Sequence, residues 1–288
     1  MEGPGDGGSG GRPGADFTRA GAEELLERLE RARGAGAGLA MAFDADGTLW
    51  DGDVGFDLFE AFLAARGARP EAEEALRREA EAFGVAIEEA GAEPGVGGAH
   101  AAVRALYDAF CAERYPEHRA FAMMAWAFAG WAEDEVAAFA ERVLEERGIE
   151  ARIRPALRRV LDWASARAID VVVVSASPRA IVERGVRRLG VPAERVHAMT
   201  PVVRAGRLAP ELATPATYGD GKVRALERAL PALAAGAALA ASPLLAAFGD
   251  SPYDAAMLRV ARIPVAVTPS PRLLALADTI PGLTVLDL

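Results

Sequence analysis

The sequence predicts an α/β protein in which a parallel sheet is flanked by helices and interrupted once by a long helical insertion. Three observations predict this class: a wholly apolar segment at residues 39–43, a block at 54–150 with no credible strand, and alternating helical and strand patterns from 155 onward. A continuous apolar run is typical of a strand buried on both faces, and helix–strand alternation is typical of a parallel sheet. The chain of 288 residues is long enough for a core domain with an inserted one.

Hydrophobic periodicity predicts the elements of the first half. Residues 1–15 are rich in Gly and Pro and predict a disordered tail. A helix is expected at 22–33, where leucines recur among charged residues, and the buried strand follows at 39–43. The insertion is expected to hold helices at 56–63, 71–87, 99–113, 118–128 and 133–147, with a loop at 91–98.

The second half is expected to build most of the sheet. Helices are predicted at 155–166, 179–189, 222–230, 252–260 and 272–277. Strands are predicted at 169–174, 195–199, 244–248, 265–267 and 283–286. A short hairpin is predicted over 202–208, with its turn at Ala205-Gly206.

Composition narrows the classes of function. A net charge of −10 argues against a general nucleic-acid binder, although a local cation would still allow a small anionic substrate. The single cysteine, Cys111, excludes an internal disulfide and a cysteine-based zinc site, and we interpret it as a core side chain. No apolar run approaches the roughly 18 residues of a membrane span, and the N-terminus does not resemble a signal peptide. By default we expect a cytoplasmic protein with no membrane partner, and the oligomeric state stays open.

The strongest chemical signal follows the first strand, where two acids and a turn end the apolar run. Asp44 and Asp46 are one residue apart, and Gly47 and Thr48 come directly after them. Burying two carboxylates at a strand end is costly unless a cation or hydrogen bonds compensate. This pattern therefore predicts a site for a hard metal ion, although an acid at a strand end can also merely cap a turn.

Three further segments carry candidate site residues. The segment Ser175-Ala176-Ser177-Pro178 follows an apolar strand, where a hydroxyl and a backbone N–H can bind phosphate, or where Ser177 can cap a helix. Lys222 is the only lysine beside 31 arginines, so we infer that a compact ammonium is needed there. Asp250 and Asp254 follow another apolar strand, and Asp250 could alternatively cap the helix near Pro252.

These four segments, in this order, resemble the four motifs of the haloacid dehalogenase superfamily, which consists mostly of phosphohydrolases. The resemblance extends from Leu39 to about Ser270. It implies a Rossmann-like core with a parallel sheet at residues 16–53 and 151–288 and an inserted all-helical cap at 54–150. It also implies Mg²⁺ as the cofactor and a small phosphorylated metabolite as the partner.

The resemblance also implies the role of each site residue. Asp44 would attack phosphorus, and Asp46 would protonate the leaving oxygen and then activate water. Gly47, Thr48, Ser175, Ala176, Ser177 and Lys222 would shape the site and hold the substrate. Mg²⁺ would be bound by Asp44, by the backbone carbonyl of Asp46 and by Asp250, with Asp254 as a further ligand or as the group that orients Lys222. Tyr253 stands where close relatives often carry Asn, so no role is transferred to it.

The order of motifs and the helical insertion look most like the phosphoserine phosphatase-type branch. That branch carries an amine-binding Glu nine residues after the nucleophile, where this chain has Asp53, with Asp51 as a competitor. A phosphomonoester bearing an amine is therefore expected, such as phosphoserine, phosphoethanolamine or phosphocholine. Trp126, Phe128 and Trp131 predict part of the core of the helical insertion, and the alternative is an aromatic cage for a quaternary amine. Arg114 and Arg119 are candidates for binding the carboxylate of a serine.

The alternatives to a phosphatase are a phosphotransferase or mutase that shares the aspartyl-phosphate, and a silent scaffold that binds a partner. The four charged motif residues count against a scaffold, which has no need of them all. A dehalogenase is disfavoured because Asp46 and Asp250 suit a metal that dehalogenases do not use.

Overall fold

The computed structural model describes residues 17–34, 38–88, 98–231 and 242–288. The predicted tail and nearly all of the predicted loop at 91–98 lie outside these ranges. The strands are β1 Thr18–Ala20, β2 Ala40–Phe43, β3 Asp170–Pro178, β4 Val196–Met199, β5 Pro201–Arg204, β6 Arg207–Leu212, β7 Leu244–Gly249, β8 Ile263–Val267 and β9 Thr284–Leu286. The helices are α1 Ala22–Arg33, α2 Val54–Ala64, α3 Pro70–Ala82, α4 Gly98–Cys111, α5 Glu117–Trp126, α6 Glu133–Glu146, α7 Ile149–Arg152, α8 Pro155–Ser165, α9 Arg179–Arg187, α10 Asp220–Ala229, α11 Ala255–Arg259 and α12 Pro271–Leu274. None of the described helices is long and apolar enough to span a bilayer.

Seven strands form one parallel sheet in the order β1-β9-β8-β7-β2-β3-β4, which confirms the predicted fold class. Strand β2 lies inside the sheet, between β7 and β3. Successive side chains of a strand face opposite sides of a sheet. Met41 and Phe43 accordingly pack into one hydrophobic cluster, whereas Ala42 packs into the other. Both faces of the sheet are covered, which explains why the β2 sequence contains no polar residue.

The helices α2 to α7 lie between β2 and β3 in the chain, as the sequence predicts. Their buried residues, such as Leu58 and Met123, belong to the same hydrophobic cluster as Phe43 and Val173 of the sheet. Helices α2 and α6 pack against α9, and α5 packs against β3. The division into a core and a separate cap at residues 54–150 stays a prediction.

The β5–β6 hairpin joins the core to this helical insertion. Its turn lies at Ala205 and Gly206, as predicted, and both residues have positive φ. The Gly130 N–H donates to the carbonyl of Leu208 at 2.9 Å, and the Leu208 N–H donates to the carbonyl of Trp131 at 2.8 Å. These two bonds join the segment between α5 and α6 to the hairpin, which forms a two-stranded sheet of its own.

Several predicted elements differ from the structure. Helix α3 ends at Ala82 rather than near residue 87, and Gly84 follows with a φ of +64°. The predicted helix at 252–260 is a 3₁₀ turn, Pro252–Asp254, followed by α11. The short strand β1 and the short helix α7 were not predicted. Cys111, expected in the core, is exposed at the end of α4, because the apolar face of that helix is formed by other positions.

Candidate active site

The topology of the sheet brings three of the four predicted motifs to one edge. The neighbouring strands β7, β2 and β3 are parallel, so their carboxyl ends meet at the same side of the sheet. Asp44 follows β2, Ser175 and Ser177 lie at the end of β3, and Asp250 follows β7. The Asp44 N–H donates to the carbonyl of Phe248 at 2.9 Å, which continues the β2–β7 pairing up to the first acid.

Lys222 supplies the fourth motif from α10 and lies between two carboxylates. Its Nζ is 2.7 Å from Asp44 Oδ1 and 2.5 Å from Asp254 Oδ1. All three side chains are buried. Burial lowers the pKa of Lys222, but the charges of Asp254 and Asp44 outweigh it, so the pKa lies above its usual value. The lysine is therefore a fixed positive charge beside Asp44.

Asp254 is held by a dense set of donors. Its Oδ2 accepts from the N–H of Asp250 at 3.1 Å, from the N–H of Ser251 at 3.0 Å and from the Ser251 hydroxyl at 2.9 Å. Its other oxygen faces Lys222. Because both carboxylate oxygens already have partners, this geometry favours Asp254 as the group that orients Lys222 over Asp254 as a metal ligand. Ser251, not Asp250, caps the 3₁₀ turn, so the alternative of an Asp250 cap is wrong.

Asp46 lies in a separate hydrogen-bond network. Its Oδ1 accepts from Trp50 Nε1 at 2.9 Å and from the Val54 N–H at 2.7 Å, and its Oδ2 accepts from the Ser177 hydroxyl at 2.7 Å. These donors fix the side chain at the end of β2.

The two serines at the end of β3 have different hydrogen-bond partners. The Ser177 N–H donates to the Ser175 hydroxyl at 3.0 Å, while Thr217, which the sequence analysis missed, donates to the Ser175 carbonyl at 2.5 Å. The expectation that Ser177 caps α9 is wrong. The cap position is Pro178, and the Ser177 hydroxyl is used by Asp46 instead.

Three carboxylates could together hold a metal ion. Ligand oxygens of Asp44, Asp250 and Asp254 lie within 4.8 Å of one another. Burial raises the pKa of Asp44 well above its usual range, the charge of Asp254 adds to the rise, and Lys222 offsets only part of it. Burial likewise raises the pKa of Asp250 to about 6, and Asp254 again adds to the rise. When all three are ionised, Lys222 leaves two negative charges uncompensated, and this oxygen-only site fits a hard divalent cation such as Mg²⁺.

The loop that follows Asp44 and Asp46 needs a glycine. Gly47 has a φ of +72°, and a Cβ built on it would lie 2.5 Å from Asp250 Oδ2. A side chain at position 47 would therefore meet the acid that we expect to bind the metal. Thr48 is buried, and its hydroxyl donates to Asp250 Oδ1 at 3.4 Å.

A cavity of about 330 Å³ opens onto these groups. Its walls combine residues from the sheet edge with residues from α2, α4, α5 and α12: Asp44, Asp46, Asp53, Phe56, Phe110, Glu117, Phe121, Ser175, Ala176, Ser177, Lys222, Asp250, Ser251, Pro252, Tyr253, Ser270 and Arg272. Every predicted site residue except Gly47, Thr48 and Asp254 lines this cavity. Gly47 and Thr48 lie against the lining residue Asp250, and Asp254 accepts a hydrogen bond from the lining residue Lys222. Five lining residues were not predicted from the sequence, because they belong to no motif and reach the cavity only through packing of the helices: Phe56, Phe110, Glu117, Phe121 and Arg272.

Asp53 and Asp51, the two candidates for binding an amine, lie in different places. Asp53 lines the cavity, and its Oδ1 caps α2 by accepting from the Phe56 N–H at 2.8 Å. Burial raises the pKa of Asp53 well above its usual range, and the charge of Asp46 adds to the rise. Asp51 is exposed and faces Arg154 at 3.2 Å, outside the cavity lining.

The three residues of the alternative aromatic cage lie away from this cavity. Trp126 and Phe128 are buried in the helical insertion, and Trp131 Nε1 donates to the carbonyl of Gly67 at 2.8 Å. None of the three lines the cavity, and the preferred interpretation as helix core is confirmed. Arg119 pairs with Glu79, and neither Arg114 nor Arg119 reaches the cavity lining.

Comparison with known proteins identifies the family of this chain. The family model for haloacid dehalogenase-like hydrolases matches residues 41–259, a segment that contains all four motifs. The chain belongs to this family. No curated protein sequence matches it.

Solved structures of low sequence identity share the fold. A protein of unknown function from Bordetella pertussis Tohama I aligns with a TM-score of 0.60 at 22% identity, over 86% of this chain and 97% of that chain. A HAD family hydrolase from Salmonella enterica serovar Typhi aligns with a TM-score of 0.52 at 15% identity, over 86% of this chain and 67% of that chain. A substrate-bound phosphoserine phosphatase complex is also similar, with a TM-score of 0.49 at 16% identity, over 85% and 92% of the two chains.

Proposed function

We propose that this protein is a Mg²⁺-dependent phosphatase that hydrolyses a small phosphomonoester through an aspartyl-phosphate on Asp44. The observation that carries the proposal is the arrangement at the end of β2. Asp44 is paired with a buried lysine at 2.7 Å, and a second acid, Asp46, sits two residues later in its own hydrogen-bond network. Membership of a hydrolase family supports the reaction type.

The first half-reaction uses both acids. A carboxylate oxygen of Asp44 attacks phosphorus, and the bond from phosphorus to the leaving oxygen breaks as Asp46 gives that oxygen a proton. The phosphoryl oxygens would be held by Lys222, by the hydroxyl of Ser175 and by the backbone N–H of Ala176. The product is a free alcohol and a phosphorylated Asp44.

The second half-reaction regenerates the enzyme. Asp46, which lost its proton in the first step, takes a proton from a water molecule that attacks the phosphorus of phospho-Asp44. The bond between phosphorus and the Asp44 oxygen breaks, and inorganic phosphate leaves. The donors around Asp46 hold its carboxyl group in one place while it changes protonation state twice.

Mg²⁺ would be held by Asp44, Asp250 and the backbone carbonyl of Asp46, and when bound it neutralises charge on the phosphate. Asp254 would keep Lys222 oriented toward Asp44. The presence of Asp53 in the cavity wall supports a substrate whose alcohol portion carries an amine, such as phosphoserine, phosphoethanolamine or phosphocholine.

The test is phosphate release from a panel of these esters, sugar phosphates and nitrophenyl phosphate, with Mg²⁺ and with EDTA. We expect Mg²⁺-dependent turnover, and we expect Asp44→Asn to lower kcat by about 1000-fold or more, because an amide is a poor nucleophile. Asp108→Asn, which removes an exposed acid of α4, is the matched control and should leave turnover unchanged.

Two results would count against the proposal. Full activity of Asp44→Asn would exclude the aspartyl-phosphate. Transfer of phosphate to an added alcohol in preference to water would instead support a phosphotransferase, and no turnover of any ester by folded protein with Mg²⁺ would support a binding scaffold.

A further inference from the structure

Three phenylalanines from different helices form one wall of the active-site cavity. Phe56 comes from α2, Phe110 from α4 and Phe121 from α5. The ring centroid of Phe56 lies 5.8 Å from that of Phe110 and 6.0 Å from that of Phe121, and the last two are 6.0 Å apart. The three rings therefore form a triangular cluster, which we call the aromatic wall.

The aromatic wall is not part of the closed core. Each of its three rings is partly exposed and lines the cavity, whereas Phe59 and Phe62 of the same helix α2 are fully buried. Keeping three aromatic rings at a wet surface forgoes some of the free energy that their burial would provide. An apolar part of a ligand would cover them.

A carboxylate held by tyrosines borders the same cavity. Glu117, at the start of α5, accepts hydrogen bonds at Oε2 from the hydroxyls of Tyr253 and Tyr218, the latter at 3.2 Å. The rings of these tyrosines are 4.5 Å apart, and Tyr218 also contacts Phe121 at 5.8 Å between centroids. The carboxylate is thus fixed next to the aromatic wall.

The charges in the cavity disfavour an anionic leaving group. Among the described residues that line it, the positively charged side chains are Lys222 and Arg272. Lys222 is already paired with Asp44 and Asp254, and Arg272 is largely exposed and 3.7 Å from Glu117. Apart from the buried Lys222, the carboxylate of a phosphoserine would meet a single lining cation among the described residues, Arg272, whose side chain is largely exposed to solvent.

A simple ammonium group also fits this wall poorly. A primary ammonium carries three N–H donors that need acceptors once they are buried, and aromatic rings provide only weak ones. An N-methylated ammonium has fewer N–H groups or none, presents an apolar surface and is attracted to aromatic faces and to a nearby carboxylate.

We propose that the cavity selects phosphate esters of alcohols that carry an alkylated ammonium group, with Phe56, Phe110 and Phe121 around the cation and Glu117 as its counter-charge. This inference rests on the proposed phosphatase function. It places substrate specificity on α2, α4 and α5 rather than on the strand ends that carry the chemistry.

The test compares kcat/KM for phosphocholine with that for phosphoserine and for 3,3-dimethylbutyl phosphate, an ester of the same shape whose alcohol portion is uncharged and which we call the neutral ester for that reason. We expect phosphocholine to be preferred over both by about tenfold or more. Phe121→Leu and Glu117→Gln should each lower this preference by about threefold or more, through a higher KM for phosphocholine.

Phe83→Leu is the matched control. This ring lies at the end of α3, is exposed and contacts Tyr115 rather than the cavity. The variant should keep the wild-type preference. Equal kcat/KM for phosphocholine and the neutral ester would overturn the inference, as would a preference for phosphoserine.

A second measurement separates this inference from the proposed function. If no ester is turned over, the phosphatase proposal fails, but binding of phosphocholine and of the neutral ester to Asp44→Asn can still be compared by titration calorimetry. Tighter binding of phosphocholine, by about tenfold and dependent on Glu117, would support the aromatic wall as a cation site. Equal affinity would overturn it.

Discussion

The two sides of the active-site cavity are built in different ways. On the sheet side, most of the polar groups are buried, and Lys222 makes short hydrogen bonds to Asp44 and Asp254. On the helical side, partly exposed aromatic rings and the tyrosine-bound Glu117 form the wall. The sheet side holds each charged group through several partners, whereas the helical side relies on packing between helices.

This difference teaches where substitutions should be tolerated. A buried charge whose partner is removed is strongly destabilising, whereas a partly exposed ring can be exchanged at modest cost. We therefore expect variants on the sheet side to lose both chemistry and stability, and variants on the helical side to change selectivity.

The largest effect is expected for Lys222→Met, which keeps the length of the side chain and removes its charge. Asp44 and Asp254 would then be buried without a counter-charge, so the free energy of unfolding measured in EDTA should fall by about 3–5 kcal/mol. We expect kcat/KM to fall by about 100- to 1000-fold as well, since a preorganised positive charge at the phosphate is lost.

Lys222→Arg sharpens this prediction. It restores the charge but replaces a compact ammonium with a larger planar group, so stability should recover more than activity. Urea denaturation followed by circular dichroism and a phosphate-release assay give the two numbers. Wild-type activity in Lys222→Met would show that the sheet side does not depend on this ion pair.

A smaller effect is expected for Gly47→Ala, with Gly84→Ala as its matched control. Both glycines have positive φ, +72° and +64°, so each alanine should cost about 1–2 kcal/mol of stability. Only at position 47 would the new Cβ press against the Asp250 carboxylate, because nothing lies within 4 Å of a Cβ at position 84.

The readout is the Mg²⁺ concentration that gives half-maximal activity. We expect it to rise by about tenfold in Gly47→Ala, since groups that orient metal ligands typically change affinity by this amount, and to stay at the wild-type value in Gly84→Ala. Identical Mg²⁺ dependence in both variants would show that the close approach of Gly47 to Asp250 does not shape the metal site.

The smallest effect concerns acid stability on the helical side. Glu79 of α3 accepts from the Tyr115 hydroxyl at 2.7 Å and from Arg119 Nε at 2.8 Å, an interaction that links α3 to α5. Burial raises the pKa of Glu79, but the hydrogen bonds from Arg119 and Tyr115 outweigh it, so the pKa lies below its usual value of 4.5. A lowered folded-state pKa stabilises the protein above the unfolded-state pKa, and this contribution disappears as the pH falls through the folded-state value.

The stability difference between the wild type and Glu79→Gln should therefore be constant near neutral pH and shrink below about pH 4.5. Urea denaturation between pH 3 and 7 measures it, with Glu81→Gln, an exposed glutamate of the same helix, as the control. A difference that grows in acid would contradict the assigned sign.

The strand positions could be predicted because burial leaves a local mark on the sequence. Residues 39–43 are apolar throughout, and β2 occupies Ala40–Phe43 inside the sheet, with a strand on either side. Lys222 could be singled out by its uniqueness among arginines, and it does contact Asp44. Where local signals were ambiguous, predictions failed: Ser177 is not a helix cap, because the Asp46 carboxylate competes for its hydroxyl.

The helical side of the cavity could not be predicted, because its residues are brought together only by packing. Glu117, Tyr218 and Arg272 lie far apart in sequence and belong to none of the four motifs, and Tyr253 lies within the fourth motif at a position to which no role could be transferred. Trp126 and Trp131 carried the stronger aromatic signal, yet amphipathic packing directs them away from the cavity. Spacing along a helix predicts which residues share a face, but not which cavity that face borders.

The sequence by itself determined the α/β class, the order of most strands and helices along the chain and the candidate acids and serines at one edge of the sheet, because each of these follows from local hydrophobic pattern or from a residue at the end of a strand. Lys222 followed from its uniqueness among arginines. Only the tertiary structure decided which helices line the cavity and that Asp254 accepts a hydrogen bond from Lys222. It also decided that Phe56, Phe110, Phe121 and Glu117 line the same cavity as Asp44 and Lys222. These features depend on contacts between residues distant in the chain, and the free energy of such contacts is set by packing in three dimensions.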